Sequence, residues 1–190
     1  GNVSTKNGSG KLAPAIVEQL LTEVASEEVG LVWQPDDHPY VAGYRVYRSS
    51  DGADYDLVNG DGLLLGSYYV DTQVSNDQTY YYKVTAVDRD GNESQLSLAA
   101  SATPLASQAG PTTITEDELY GEHIWLSGKS PYIINKDLKL RMTGRLRVLP
   151  GTEILFDNSE KAISFSTSDT AQVWLLGETG KEVVLNEAPN

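Results

Sequence analysis

The chain has 190 residues, enough for one large domain or two small ones, and a hydrophobic fraction of 39% that supports a packed core rather than global disorder. A formal charge of −13 repels nucleic-acid phosphate and anionic lipid, so neither is an expected partner. With no cysteine, disulfides, thiolate metal sites and a cysteine nucleophile are excluded.

Residues 1–12 begin with GNVSTKNGSG and read as a flexible polar leader. No apolar run approaches the ~20 residues of a membrane helix. From Ala13-Pro14 the pattern changes. Ile16, Leu20 and Val24 have helical spacing, but the same stretch also alternates, and an edge strand is the reading that suits the run of strands after it. Val29 to Trp33 is a strand with Val29, Leu31 and Trp33 on one face, Trp33 being the large aromatic plug of a small core. After the loop from Gln34 to Pro39, the stretch from Val41 to Ser49 sets Tyr44, Val46 and Arg48 opposite Arg45 and Tyr47. Ser50 to Asp54 is a turn. Tyr55 to Val58 and Leu63 to Leu65 are short strands around Asn59-Gly60-Asp61-Gly62, and Tyr68 to Asp71 is another. Tyr80, Tyr82, Val84 and Ala86 then share one face, and Tyr81, Lys83, Thr85 and Val87 the other. Asp88 to Ser94 is turn chemistry, and Leu96 to Ala102 closes the set. Asp88, Asp90 and Glu93 lack the twelve-residue register of an EF-hand, so they read as a solvated hairpin turn. Short strands at this spacing argue a β-sandwich.

Residues 13–104 resemble a fibronectin type III domain. The features are Ala13-Pro14, Trp33, Tyr44-Arg45-Val46-Tyr47, Val70-Asp71, Thr79-Tyr80 with Tyr82, Val84 and Ala86, and the hairpin Asp90-Gly91-Asn92-Glu93-Ser94. The resemblance implies that Tyr80 makes a tyrosine corner. Val74 stands where the family often has Leu, and no Arg-Gly-Asp loop occurs, so that family's adhesive use does not carry over.

Residues 105–113 read as a linker within the Pro, Ala, Ser and Gly-rich run SATPLASQAGPTT. Thr115 and Glu118 have capping-box spacing, which predicts a helical turn between Ile114 and Tyr120. The rest of 114–190 is β-rich. Apolar pairs recur at Leu138/Leu140, Leu146/Val148, Ile154/Phe156, Ile163/Phe165, Val173/Leu175 and Val183/Leu185, separated by polar or Gly corners. This loose repeat predicts a β-solenoid of about two coils, with a small antiparallel sandwich as the alternative. Trp125, Ser130-Pro131-Tyr132, Asp137-Leu138 and Pro150-Gly151-Thr152 before Ile154 and Phe156 resemble the start of bacterial right-handed parallel β-helix domains. The expected fold class is therefore all-β: a fibronectin type III-like sandwich plus a second small β-rich domain. An open coil end is expected to be covered by the first domain, a second copy or another protein.

Chemistry is sparse. His38 and His123 have no metal-spaced partner, and no phosphate loop, Gly-x-Ser-x-Gly or His-Glu-x-x-His occurs. No catalytic residue, cofactor or metal ligand is expected. The leading expectation is a non-enzymatic modular protein of the bacterial exterior, secreted or in the cell envelope, with a lipid anchor upstream of Gly1 as one form of attachment. It would serve as spacer and as an interaction or assembly unit, self-associating through an open β edge or meeting other surface proteins. The alternative is an accessory carbohydrate-binding module, or a non-catalytic fragment of a larger polysaccharide-active enzyme, in which Trp125, Trp174, Tyr81 and Tyr47 stack on sugars.

Overall fold

Alternation at period two fixes which side chains each strand can bury, and the computed structural model shows how those strands pair. It describes residues 13–36, 39–157, 161–165 and 170–187, so the leader at 1–12 lies outside the described residues. Contacts divide the chain into two compact units. One comprises Gly1–Thr22, Val29–Asp71 and Asp77–Thr103, and the other Glu23–Glu28, Thr72–Asn76 and Pro104–Asn190.

Seven strands build the first fold: β1 (Leu21–Ala25), β2 (Glu28–Val32), β3 (Val41–Ser49), β4 (Asp56–Leu57), β5 (Tyr68–Asp71), β6 (Tyr80–Asp88) and β7 (Ala100–Ala102). They form two sheets, ordered β1-β2-β5 and β4-β3-β6-β7. The pairings β2–β5, β3–β4, β3–β6 and β6–β7 are antiparallel. This is a fibronectin type III-like β-sandwich. The predicted inward residues Val29, Leu31, Val46, Tyr82, Val84 and Ala86 are fully buried, as is Trp33, whose ring meets Tyr44 edge-on at 5.3 Å. Tyr80 lies on the same side of β6, under the Arg48 guanidinium at 5.4 Å.

Three expected strands differ. The run before Val24 pairs only from Leu21, because Gln19 adopts φ 53° and breaks the extended backbone. Leu63 to Leu65 reduces to one bridge, Leu64 with Tyr44. The stretch before Ala100 is not a strand, because serine hydroxyls take the place of ladder carbonyls. Ser94 Oγ accepts from the Ala86 amide and Ser97 Oγ from the Val84 amide, each at 3.0 Å.

The second unit is a coil. Its strands are β8 (Thr112–Ile114), β9 (Glu118–Leu119), β10 (Glu122–Trp125), β11 (Tyr132–Ile134), β12 (Leu138–Leu140), β13 (Arg145–Val148), β14 (Glu153–Phe156), β15 (Ile163–Phe165), β16 (Gln172–Leu175) and β17 (Val184–Glu187). Strands β8 to β14 each pair in parallel with the strand three places on, giving the sheets β8-β11-β14-β17, β9-β12-β15 and β10-β13-β16. Parallel pairing at a constant offset of three strands is a three-sided β-solenoid; the antiparallel sandwich is excluded.

The coil starts earlier than the apolar pairs indicate. β8, β9 and β10 form a complete first turn, so the described residues hold three full turns and the opening strand of a fourth instead of about two. The predicted helical turn between Ile114 and Tyr120 is likewise corrected. Ile114 and Leu119 are buried inside the coil from β8 and β9, and this burial outweighs the local capping-box signal.

Corners depend on backbone geometry. Gly151 has φ +80° after Pro150, as the Pro-Gly turn requires. A side chain at Gly144 would sit 2.8 Å from the Leu119 carbonyl oxygen, so that corner admits none.

Inward residues such as Ile134 and Val148 of the second turn and Ile154 of the third are fully buried. In register with Val148 and Ile154 on the last strands stand Leu175 and Leu185, each 51% exposed.

Candidate functional site

The antiparallel register of β3 and β6 decides which of the sequence candidates meet. Tyr47 stands opposite Lys83 on β6 and opposite Leu57 on β4. Tyr81 stands opposite Ser49 on β3 and Ser101 on β7. Directly opposed residues project to one face, so Leu57, Tyr47 and Lys83 form one row and Ser49, Tyr81 and Ser101 the next. Tyr47 and Tyr81 are thus diagonal neighbours on the face of the sheet turned away from Tyr82 and Val84. Tyr55, just before β4, joins them, because the Lys83 ammonium lies 4.4 Å from the centre of its ring. Tyr47, Tyr55 and Tyr81 are half-buried, and Leu57 is 39% exposed.

The edges of this face are pinned by hydrogen bonds. Tyr47 donates its hydroxyl proton to Glu93 Oε1 at 2.5 Å, Thr85 Oγ1 donates to the same oxygen at 2.6 Å, and Arg45 Nη1 donates to Glu93 Oε2 at 2.7 Å. Burial works to raise the Glu93 pKa, but the Thr85 and Tyr47 hydrogen bonds and the Arg45 charge outweigh it and hold the carboxyl below its ordinary range. Burial, then the Glu93 bond, pushes the Tyr47 hydroxyl up, so it remains a donor. On the other side, Asp51 Oδ1 accepts from the Ala53 and Asp54 amides and from Ser49 Oγ, fixing the turn whose Gly52 faces the Tyr81 ring.

A carboxylate with a depressed pKa stabilises the fold above its ordinary pKa and loses that contribution as pH falls through the folded value. Glu93→Gln is therefore expected to cost about 1 kcal/mol at pH 7, the size of partly solvated charged hydrogen bonds. The difference should shrink as pH falls below the ordinary glutamate range and be lost once pH passes below the depressed folded value. Urea unfolding of both proteins between pH 3 and 7 checks this; a difference that is constant with pH would refute the role of the charge.

The other candidates lie elsewhere. Trp125 is 4% exposed inside the coil, stacked on Tyr132 at 4.5 Å with planes 8° apart, so it presents no ring face to a sugar. Trp174 is half-buried on β16, with the Arg147 guanidinium 5.2 Å from its ring centre. His123 Nε2 is 2.9 Å from the Tyr120 carbonyl oxygen, and His38 lies outside the described residues. Asp88, in the acidic turn, is engaged locally: Oδ1 accepts from the Asp90 and Asn92 amides and Oδ2 from Asn92 Nδ2. Among the described residues no cluster of three or more His, Cys, Asp or Glu is arranged to hold a metal, and no helix is long and apolar enough to cross a membrane. Sequence reasoning missed Tyr55, Leu57 and Lys83. The alternation already put Lys83 beside Tyr81, but only strand pairing brings in the other two.

No protein-family model matches the chain. It is 32% identical over 99 residues to an amylopullulanase of Thermoanaerobacterium saccharolyticum, a match covering 52% of this chain and 7% of that protein. It is 36% identical over 98 residues to an amylopullulanase of Thermoanaerobacter thermohydrosulfuricus, covering 51% and 6%. Among solved structures, a Fn3-like protein from Clostridium thermocellum aligns with TM-score 0.42 and 29% identity over 48% of this chain and 94% of that one. The chain thus spans only 6–7% of the length of these curated relatives, and the likeness covers about half of it.

Proposed function

We propose that this chain is a non-catalytic accessory module of a larger, extracellular bacterial polysaccharide-active protein. The observation that carries the reading is the partial match to two amylopullulanases over about half the chain and 6–7% of their length. A short stretch shared with very large enzymes is module-like, and the first unit here is a β-sandwich of the fibronectin type III kind. These matches favour the accessory reading over a cell-surface spacer. The second unit is read as the opening turns of a bacterial parallel β-helix domain, from its coil topology and its Pro150-Gly151-Thr152 corner.

The test is native electrophoresis of the chain through gels containing pullulan or soluble starch, with a parallel assay for released reducing ends. Retardation without hydrolysis is the expected result. Hydrolysis, or free migration in every polysaccharide tried, would overturn the proposal.

A second reading, self-association, is favoured by one observation: Leu175 and Leu185 occupy inward positions of the last strands yet are half exposed. Light scattering of the chain with and without Leu185→Lys tests it. A dimer abolished by the substitution supports assembly, and a monomeric parent chain rejects it.

A further inference from the structure

We propose that the outward face of the β4-β3-β6-β7 sheet binds a neutral glycan chain, with Tyr47, Tyr55 and Tyr81 as its platform. The inference rests on the accessory-module reading and adds the site and the ligand class. A sugar ring has an apolar C–H face rimmed by hydroxyls, and its complement is a flat aromatic surface with hydrogen-bonding groups at the margins. Three tyrosines on one face supply aromatic surface, and register brings Tyr47 and Tyr81 into neighbouring rows. The Lys83 ammonium, over the Tyr55 ring and opposite Tyr47, and Arg45, on the row beyond Tyr47, bring donors to this group. Leu57 adds exposed apolar surface in the Tyr47 row.

The face is also pre-organised. Glu93 fixes the Tyr47 hydroxyl and the Arg45 guanidinium, and the Asp51 turn borders Tyr81. Little freedom remains to be lost when a ligand lands, which lowers the cost of binding. Tyrosine suits the purpose because it offers a large rigid contact with few rotatable bonds. Charge selects among glycans. The chain carries −13, so an anionic polymer meets long-range repulsion that a neutral one does not.

The experiment is affinity electrophoresis of the full chain in gels of neutral pullulan and of anionic polygalacturonate, with folding checked by circular dichroism. Tyr55→Ala and Tyr81→Ala are each expected to weaken pullulan retardation about fivefold, the loss of one aromatic contact. Tyr81→Phe, which keeps the ring, should bind as the parent does, and so should Tyr120→Ala, which removes an exposed tyrosine of the second unit. If pullulan retains the parent and both alanine variants equally, this face is refuted and the accessory reading stands. Retention by polygalacturonate but not by pullulan overturns the ligand class alone. No retention by either polymer overturns the accessory reading and this proposal together.

Discussion

Replacing Asp71 with alanine should destabilise the first unit by about 3 kcal/mol, the low end for breaking a buried ion pair. Asp71, on β5, is 1% exposed. One of its oxygens, Oδ2, accepts from Arg48 Nη1 at 2.9 Å and from the Tyr82 hydroxyl at 3.0 Å. Arg48 lies on β3 and Tyr82 on β6, so this carboxylate links the two sheets of the sandwich through side chains. Burial works against the Arg48 charge, and the Asp71 carboxylate more than restores it. Burial also drives the Tyr82 hydroxyl strongly upward, with Asp71 adding to the shift, so the phenol stays a donor. Removing Asp71 takes the acceptor from both groups at once, inside a core where neither is fully rehydrated. Asp71→Asn keeps an acceptor for Tyr82 and loses only the charge, so its expected cost is smaller, about 1–2 kcal/mol. Hydrogen exchange of peptides from β3 and β6 reads the effect locally. A loss of about 3 kcal/mol accelerates their globally protected amides on the order of a hundredfold. Unchanged exchange in Asp71→Ala would show that the carboxylate does not tie the sheets.

A comparable loss is expected from Ile134→Ala in the coil, about 3 kcal/mol, and much less from Leu185→Ala. Ile134 is fully buried on β11, in register with Ile114 on β8 and Phe156 on β14. Truncating it opens a cavity between two turns that are each held by their own ladder, so collapse is restricted. Leu185 is inward-facing too, in register with Ile154, but it is 51% exposed. Its truncation removes contacts on one side only and should cost below about 1 kcal/mol. Exchange of the β11 and β12 peptides distinguishes the two variants. Equal losses would mean that the last strands bury Leu185 as thoroughly as the middle turn buries Ile134.

Much of the sandwich was legible in the chain itself. Alternation is a local property, and long strands display it over enough residues to read. β3 and β5 fall at the expected bounds, and the inward set Tyr82, Val84 and Ala86 follows from period two. The place of Trp33 in the core followed from the same periodicity. The coil's later turns were legible for the same reason, since Leu138/Leu140 and Leu146/Val148 repeat the pattern.

Other features depended on partners far away in sequence. β8 and β9 of the first turn are not legible in the sequence because each contributes one buried residue, Ile114 and Leu119, and one residue shows no period. Only the parallel ladders to β11 and β12 reveal them as strands. The candidate surface divided in the same way. Composition placed aromatic residues at Tyr47, Tyr81, Trp125 and Trp174 alike. The fold turned Trp125 into the coil and put Tyr47 and Tyr81 together. The sequence determined which faces of each strand are apolar, because side-chain direction alternates with every residue. Tertiary structure decided which faces adjoin, because strand order and register arise from pairings between segments tens of residues apart, and a local pattern carries no record of them.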